Sequence, residues 1–290
     1  MSGYINNLIL VGAGAISGLA EAIIVQPFDM VKTRHQLNTE LNKSVLQTLF
    51  ELYREGGVLR WYRGITAELV GIVPKASGMY ASYEIFRRTL VNDLGYENTT
   101  LLNSAAGCFS GIPEALIVTP TQVVKIRVQA KEHLGKYKDS LDCLKKVVQS
   151  EGLFSLSIGL QATLWRNCVW NTVYFGGMHF IKSNLPTSSS TVTGLVQTFL
   201  SGMMTSVIAT AINIPFDVAK SRIQSQLRMD EKGNPLSVKY RYAWQTLASI
   251  YREEGLAACY KGLHAKVYRT GLGGACSMVV FEYCQIIANI

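Results

Sequence analysis

The chain has 290 residues, of which 48% are hydrophobic and 17% charged, and it carries a formal net charge of +8 at pH 7. A mean hydropathy of +0.17 and three long segments with one charged residue or none favour a membrane protein, because about 20 apolar residues cross the hydrocarbon of a bilayer. Basic residues alternate with these segments, which disfavours the basic tail or stripe of nucleic-acid-binding proteins. The 6 cysteines lack metal-ligand spacing, and no catalytic triad or phosphate-binding loop is present. We predict a protein that is not an enzyme and binds no metal.

The predicted elements are six spanning helices with shorter surface helices and polar linkers between them. The spans cover residues 8 to about 36, 65 to about 90, 101 to about 129, about 159 to 182, about 193 to 224, and 263 to 287. Amphipathic surface helices are predicted at 43–54 and 137–150, polar linkers at 92–100 and 186–190, and a polar insert at 228–240. Glycines or small residues four apart, at Gly107 and Gly111 and at Gly202 and Ser206, predict close helix contacts in lipid.

One motif recurs three times, beginning at Pro27, Pro120 and Pro215, at intervals of about 95 residues. Each copy has a lysine five residues after the proline and a glutamine nine residues after it. A Glu-Gly pair and a second glycine, at positions 64, 159 and 262, follow each copy in the same order. We divide the chain into three repeats, 1–95, 96–190 and 191–290, which form one integrated transmembrane domain.

The recurrence of proline, acid, base and aromatic-basic-glycine resembles the mitochondrial carrier family over the whole chain. The resemblance implies an all-α membrane protein with six transmembrane helices in three pseudo-threefold repeats, each with a short matrix-side amphipathic helix. It further implies a monomeric multi-pass antiporter of the mitochondrial inner membrane that works by alternating access, without a cofactor. Short surface helices and the glycines before helix starts are expected to bind cardiolipin as a structural lipid.

Charged side chains in a spanning helix cost about 2.5–3.5 kcal/mol each, so we expect them to face a polar cavity and to find partners. By the resemblance, the motif residues close the cavity on the matrix side, with three contacts between neighbouring helices and three glutamines that brace them. The contact made by the acid position of the second motif is weaker, because a glutamine replaces the usual acid there. The predicted contacts are Asp29 with Lys125, Asp217 with Lys32, and Gln122 with Lys220, and the glutamines are Gln36, Gln129 and Gln224.

A second, cytoplasmic gate is expected near the opposite ends of the even-numbered spans. Its candidate pairs are Glu84 with Lys182 and Glu282 with Arg87. The third position combines His179 with Gln285, which cannot form a strong pair. We therefore predict that the cytoplasmic gate is the weaker of the two.

Residues that break the threefold symmetry inside the cavity are the candidates to touch an asymmetric substrate. Seven residues after the repeated glycine stand Gly71, Arg166 and Arg269, and eleven residues after it Lys75 has no charged counterpart. Arginine binds carboxylates bidentately, so these three cations suit a dianion. Asn167 and Asn171 beside Arg166 are candidates to donate to a keto or carboxylate oxygen, although a merely polar lining fits them equally.

Segments 170–176 and 213–224 also resemble the branch of the family that carries 2-oxodicarboxylates, which implies counter-exchange of 2-oxoadipate or 2-oxoglutarate. Leu272 stands where that branch usually has proline, so the substrate range is open to a shift. The alternatives are a carrier for citrate or a C4 dicarboxylate, and a non-transporting membrane scaffold with the same fold. Glu21 and Glu114, six residues before their prolines, are interpreted as compensating the cavity cations or carrying a proton.

Overall fold

The computed structural model describes residues 2–37, 44–185, 191–229 and 236–287. Side chains are described for residues 16–37, 44–185, 194, 196–229, 236–273, 276 and 280. Six long helices dominate this part of the chain: α1 Ser2–Leu37, α4 Ile65–Arg88, α5 Thr100–Gln129, α7 Leu160–Asn184, α8 Thr191–Ser225 and α11 Leu263–Ile287. The predicted all-α fold with six spanning helices in three repeats is confirmed.

Shorter helices connect the two long helices of each repeat. They are α2 Val45–Gly56, α3 Val58–Trp61, α6 Ser140–Glu151, α9 Ala243–Glu254 and α10 Leu256–Cys259. The second surface helix begins at Ser140, three residues later than predicted, because Asp139 caps it by accepting a hydrogen bond from the amide of Asp142 at 2.8 Å. Tyr137, assigned to the helix by its sequence pattern, is a buried loop residue instead.

Neighbouring helices form a closed ring in the order α1, α4, α5, α7, α8, α11. The three helices that carry the repeated prolines, α1, α5 and α8, also contact one another at one end, which we call the convergent end. They run unbroken through Pro27, Pro120 and Pro215. Within the described residues, the helices at 100–129 and 196–225 each contain an 18-residue window with a mean hydropathy of 1.4, which meets the length and composition of a membrane span.

Helices α5 and α7 make the closest contact in the ring, as the small residues in their sequences predict. A Cβ atom at Gly107 would lie 2.6 Å from the backbone oxygen of Asn171, and one at Gly111 would lie 2.8 Å from the backbone nitrogen of Cys168. Real Cβ atoms do not approach backbone this closely, so both positions require glycine. The prediction for Gly202 and Ser206 was wrong in detail, since the close contact of α8 with α7 lies at Gly177.

Apolar clusters fasten the surface helices to the convergent end. In repeat two, Cys143 and Val147 of α6 pack against Val124 and Val128 of α5, and all four side chains are buried. Equivalent clusters join α2 to α1 and α9 to α8. The surface helices thereby hold the convergent ends of the spans at fixed positions.

Candidate functional site

The acids and bases of the repeated motif meet in the centre of the convergent end. The Nζ atom of Lys125 lies 2.8 Å from the Oδ2 atom of Asp29, and the Nζ atom of Lys32 lies 3.3 Å from the Oδ2 atom of Asp217. Both aspartates are at least nine-tenths buried. The repeated prolines place these residues at one level of the ring, and the two predicted ion pairs are present.

The third contact of this layer is a hydrogen bond from Lys220 to the side-chain oxygen of Gln122, in place of an ion pair. A second departure lies one helical turn further on, where Ile126 occupies the place of a threonine in repeat one and a serine in repeat three. The repeat pattern assigns a hydrogen bond from this position to Gln224, whose Oε1 atom is buried and has no hydrogen-bond partner among the described residues. Helix α5 therefore contributes less polar contact to the convergent end than α1 or α8.

The repeated glutamines form a second layer just beyond the ion pairs. Gln129 accepts a hydrogen bond from Thr33 at 2.8 Å, and Gln36 accepts one from Ser221 at 2.7 Å, so each joins two odd-numbered spans. All three glutamine side chains also contact the glycine that begins the neighbouring span. These glycines, at positions 64, 159 and 262, have φ angles of 85°, 75° and 85°, which favour glycine.

A third set of contacts, which the sequence analysis missed, joins each motif to its surface helix. An arginine seven residues after the proline of each motif pairs with the glutamate of the Glu-Gly pair in the same repeat. The Arg34 and Glu55 pair has a distance of 2.7 Å, the Arg127 and Glu151 pair 2.8 Å, and Arg222 pairs with Glu254. Threefold recurrence of both residue types in the sequence was the signal that could have identified these pairs.

The pair in repeat three has a clear electrostatic consequence outside the membrane. Hydrogen bonds from Arg222 and from Lys261, the latter at 3.0 Å, lower the pKa of Glu254 from its ordinary 4.5 to about 2. The carboxylate is thus charged at all physiological pH values and fixes α9 to the end of α8.

One of the two cavity arginines lies directly against the ion-pair layer. The Nε atom of Arg269 is 2.5 Å from the Oδ1 atom of Asp29, and its Nη2 atom is 3.9 Å from the Oε1 atom of Glu68. Glu68 also accepts a hydrogen bond from Lys125 at 2.9 Å. The arginine is therefore tied to the same aspartate that closes the ring between α1 and α5.

The other cavity arginine has a looser version of this arrangement. Arg166 lies 3.8 Å from the Oδ1 atom of Asp217 and 4.0 Å from the Oε1 atom of Glu114. Asp217 in turn binds Lys266 at 2.5 Å. Each arginine thus faces one of the two aspartates of the convergent end, and neither is committed to a bidentate partner.

Glu68 and Lys266 were not predicted as site residues. They occupy the fourth position after the repeated glycine, where repeat two has Thr163. This position breaks the threefold symmetry as clearly as the seventh and eleventh positions do. The same comparison of repeats could have found both residues, had it been applied one helical turn nearer the convergent end.

The third predicted cation, Lys75, is half-buried on α4. It makes no hydrogen bond or ion pair within 4 Å to any side chain in the described part of the chain. Its charged neighbours are Glu114, Arg166, Glu68 and Arg269. Lys75 is accordingly grouped with the two arginines but is free to reach a ligand.

The two predicted asparagines are buried in this conformation, and their role as substrate ligands stays a prediction. Asn171 is 1% exposed and donates hydrogen bonds to Glu114 at 3.0 Å and to Ser110 at 3.1 Å, inside the contact between α5 and α7. Asn167 is equally buried, and its side-chain oxygen accepts a hydrogen bond from Arg166. The glycines of α5 bring the two helices close enough for the amide of Asn171 to reach Ser110 and Glu114.

At the end of the ring opposite the convergent end, the predicted pair of Glu84 with Lys182 is not formed. Glu84 binds Arg87 at 3.1 Å and Arg88 at 2.7 Å, both on its own helix. Lys182 is exposed, with no ion pair to Glu84. The side chain of Glu282 lies outside the described residues. The conformation therefore has its convergent end closed and the Glu84 to Lys182 link open.

Comparisons with known proteins agree with this arrangement. A sequence model of the family described as mitochondrial carrier protein matches residues 5–94, 96–189 and 192–289. The chain is 38% identical over 272 residues to a probable mitochondrial 2-oxodicarboxylate carrier of Dictyostelium discoideum, covering 93% of this chain and 88% of that protein. It is 35% identical to the human mitochondrial 2-oxodicarboxylate carrier, over 93% and 91% of the two chains. It is also 35% identical to mitochondrial citrate transporter D of Aspergillus niger, over 93% and 90%. The chain belongs to the mitochondrial carrier family.

Proposed function

We propose that this protein exchanges 2-oxodicarboxylates, such as 2-oxoadipate and 2-oxoglutarate, across the mitochondrial inner membrane by alternating access. The substrate class rests on the relatives named as 2-oxodicarboxylate carriers and on the cations of the cavity. The convergent end, with the repeated motif, faces the matrix, and the end with Glu84 faces the cytoplasm. The chain acts as a monomer, since one ring of six spans supplies all the proposed binding residues.

The observation that carries the proposal is that each cavity arginine faces a different aspartate of the matrix gate. Arg269 lies 2.5 Å from Asp29, and Arg166 lies 3.8 Å from Asp217. The two carboxylates of a dicarboxylate replace these aspartates as partners of the arginines. Each carboxylate binds its arginine through two hydrogen bonds. The loose contact of Arg166 is the easier one to replace, so we expect the first carboxylate to bind there.

Replacement of the aspartates weakens the closed gate. Asp29 then keeps Lys125, and Asp217 keeps Lys32 and Lys266, but each loses one cationic neighbour. To move a gate from mostly closed to mostly open, a ligand needs about 5.5 kcal/mol of preference for the open state. Two charge-assisted contacts at about 1.5–3 kcal/mol each supply most of this difference.

The proposal is tested by uptake of labelled 2-oxoglutarate into liposomes that contain the purified protein. The liposomes are loaded with 2-oxoadipate, malate, citrate, ADP or nothing. We expect uptake only against an internal oxodicarboxylate or a close analogue, and its loss in Arg166→Ala and Arg269→Ala. Arg252→Ala, which removes an exposed arginine of α9, is the matched control. Folded protein that takes up no 2-oxoglutarate under any loading overturns the assignment.

Two alternatives remain as outcomes of this assay. Uptake of citrate or a C4 dicarboxylate in preference to 2-oxoglutarate indicates a carrier for another carboxylate, as in the relative from Aspergillus niger. Complete absence of transport indicates a scaffold that keeps the fold. The arginines, which a scaffold has no need to keep at the gate, favour transport.

A bound cardiolipin is also proposed as a structural lipid. A cavity of about 1080 Å³ lies between the matrix ends of α1, α2 and α11, and its lining includes Lys131, Lys261 and Gly262 together with Glu51, Glu55 and Glu132. Exposed apolar side chains on the short connecting segments, including Leu59 and Phe154, suit contact with acyl chains. Thermal stability of the purified protein that rises on addition of cardiolipin, but not of a neutral lipid, tests this point.

A further inference from the structure

Basic side chains outnumber acidic ones inside the spans. We define the charged core as the charged residues of the six spans that lie between two limits. One limit is the layer of Arg34, Arg127 and Arg222 at the convergent end, and the other is Glu84 near the opposite end. It contains seven basic and five acidic side chains, a net of two positive charges. The basic members are Lys32, Lys75, Lys125, Arg166, Lys220, Lys266 and Arg269, and the acidic members are Glu21, Asp29, Glu68, Glu114 and Asp217.

Glu114 differs from the acids of the matrix gate in its partners. Asp29, Glu68 and Asp217 each lie within 2.9 Å of a lysine nitrogen. Glu114 is 3% exposed, and no lysine in the described part of the chain lies so close to it; it accepts a hydrogen bond from Asn171 and lies 4.0 Å from Arg166. Its charge is therefore not needed to close the gate.

Glu114 lies next to two of the proposed substrate-binding cations. It lies beside Arg166 on α7 and is a charged neighbour of Lys75 on α4. Its carboxylate therefore competes with a further substrate carboxylate for these two cations. The equivalent residue of repeat one is Glu21, next to Gly273 and Arg269, and repeat three has no acid there.

From this placement we infer that Glu114 is a specificity-determining residue that restricts the cavity to dianions. The inference rests on the proposed function and deepens it. While Glu114 is charged, the core has two uncompensated positive charges, which match the two carboxylates of a dianion. A tricarboxylate trianion brings one carboxylate too many and places it against Glu114, at a cost that like charges impose in a site shielded from water.

Removal of the Glu114 charge reverses this preference. Glu114→Gln keeps the size of the side chain and an acceptor for Asn171, but raises the net charge of the core from two to three. Lys75 is then available to a third substrate carboxylate. Glu114→Asp keeps the charge and is the matched control, and Glu21→Gln tests whether any acid of the core has the same effect.

The test is the ratio of citrate uptake to 2-oxoglutarate uptake in liposomes, at about pH 7.5, where the carboxylates are ionised. We expect this ratio to rise at least about tenfold in Glu114→Gln, equivalent to about 1.4 kcal/mol, and to stay near the wild-type value in Glu114→Asp. An unchanged ratio in a Glu114→Gln protein that still exchanges 2-oxoglutarate overturns the inference, as does a wild-type protein that takes up citrate and 2-oxoglutarate equally well.

A second measurement covers the case in which Glu114→Gln does not transport. The increase in thermal unfolding midpoint on addition of citrate or of 2-oxoglutarate reports binding without transport. A larger increase with citrate in the variant, and with 2-oxoglutarate in the wild type, supports the inference, whereas the same order in both proteins overturns it. Failure of the wild type to exchange 2-oxoglutarate is a failure of the proposed function instead, and it is visible before any variant is made.

Discussion

Gln122→Glu restores the acid that the second motif lacks and creates a third ion pair at the matrix gate. The new carboxylate replaces the amide oxygen that accepts the hydrogen bond of Lys220, and glutamate has nearly the same shape as glutamine. At about 3 Å and an effective dielectric constant of about 20, the gross attraction is about 5 kcal/mol. Loss of hydration offsets several kcal/mol of this, which leaves a net stabilisation of about 1–2 kcal/mol.

A gate stabilised by this amount opens about 5 to 30 times less often. We expect the initial rate of 2-oxoglutarate exchange to fall by a factor in that range, while the thermal unfolding midpoint rises. Both quantities are measured on the same purified protein, in liposomes and in detergent. Gln149→Glu, which adds the same charge on the exposed face of α6, is the control. Unchanged or faster exchange, with an unchanged midpoint, refutes the account of the gate.

Three further predictions concern stability. Ile126→Thr supplies a hydroxyl group near the unpaired Oε1 atom of Gln224 and is expected to stabilise the fold by about 1 kcal/mol, seen as a higher unfolding midpoint. Gly111→Ala places a methyl group 2.8 Å from the backbone of Cys168 and is expected to destabilise by about 1–3 kcal/mol; an unchanged midpoint argues against the close α5 and α7 contact. Because the pKa of Glu254 is lowered from 4.5 to about 2, its stabilising contribution is complete above about pH 4.5 and declines as the pH falls towards 2. Glu254→Gln should therefore lower the unfolding midpoint at neutral pH, and the difference from wild type should shrink in acid.

The repeat pattern predicts the fold and the gate contacts well, because both follow from the spacing of residues along helices. Proline, acid and base at fixed intervals on three helices bring these charges to one level, and the family resemblance predicts that Asp29 pairs with Lys125 and Asp217 with Lys32, as the structure has them. Breaks in the same pattern identify Arg166 as a cavity residue.

The positions of Asn167 and Asn171 could not be predicted in this way. Both follow Arg166 within five residues, and the sequence does not specify which side of α7 packs on α5. The glycines of α5 decide it, since at Gly107 and Gly111 α7 approaches the backbone directly. A contact between two helices depends on residues of both, and periodicity in one of them is not sufficient to place it.

The central claim is that a substrate dianion takes Arg166 and Arg269 from the gate aspartates and thereby opens the matrix side. Thr33→Cys, in a protein whose native cysteines are replaced by serine, reports this opening, because position 33 is buried in the layer next to the ion pairs. The rate of modification by a membrane-impermeant thiol reagent on the matrix side is measured with and without saturating 2-oxoadipate. The account predicts a rate at least about ten times higher with 2-oxoadipate, and no such increase when Arg166 is replaced by alanine. A rate that does not depend on 2-oxoadipate, in protein that exchanges it, contradicts the account.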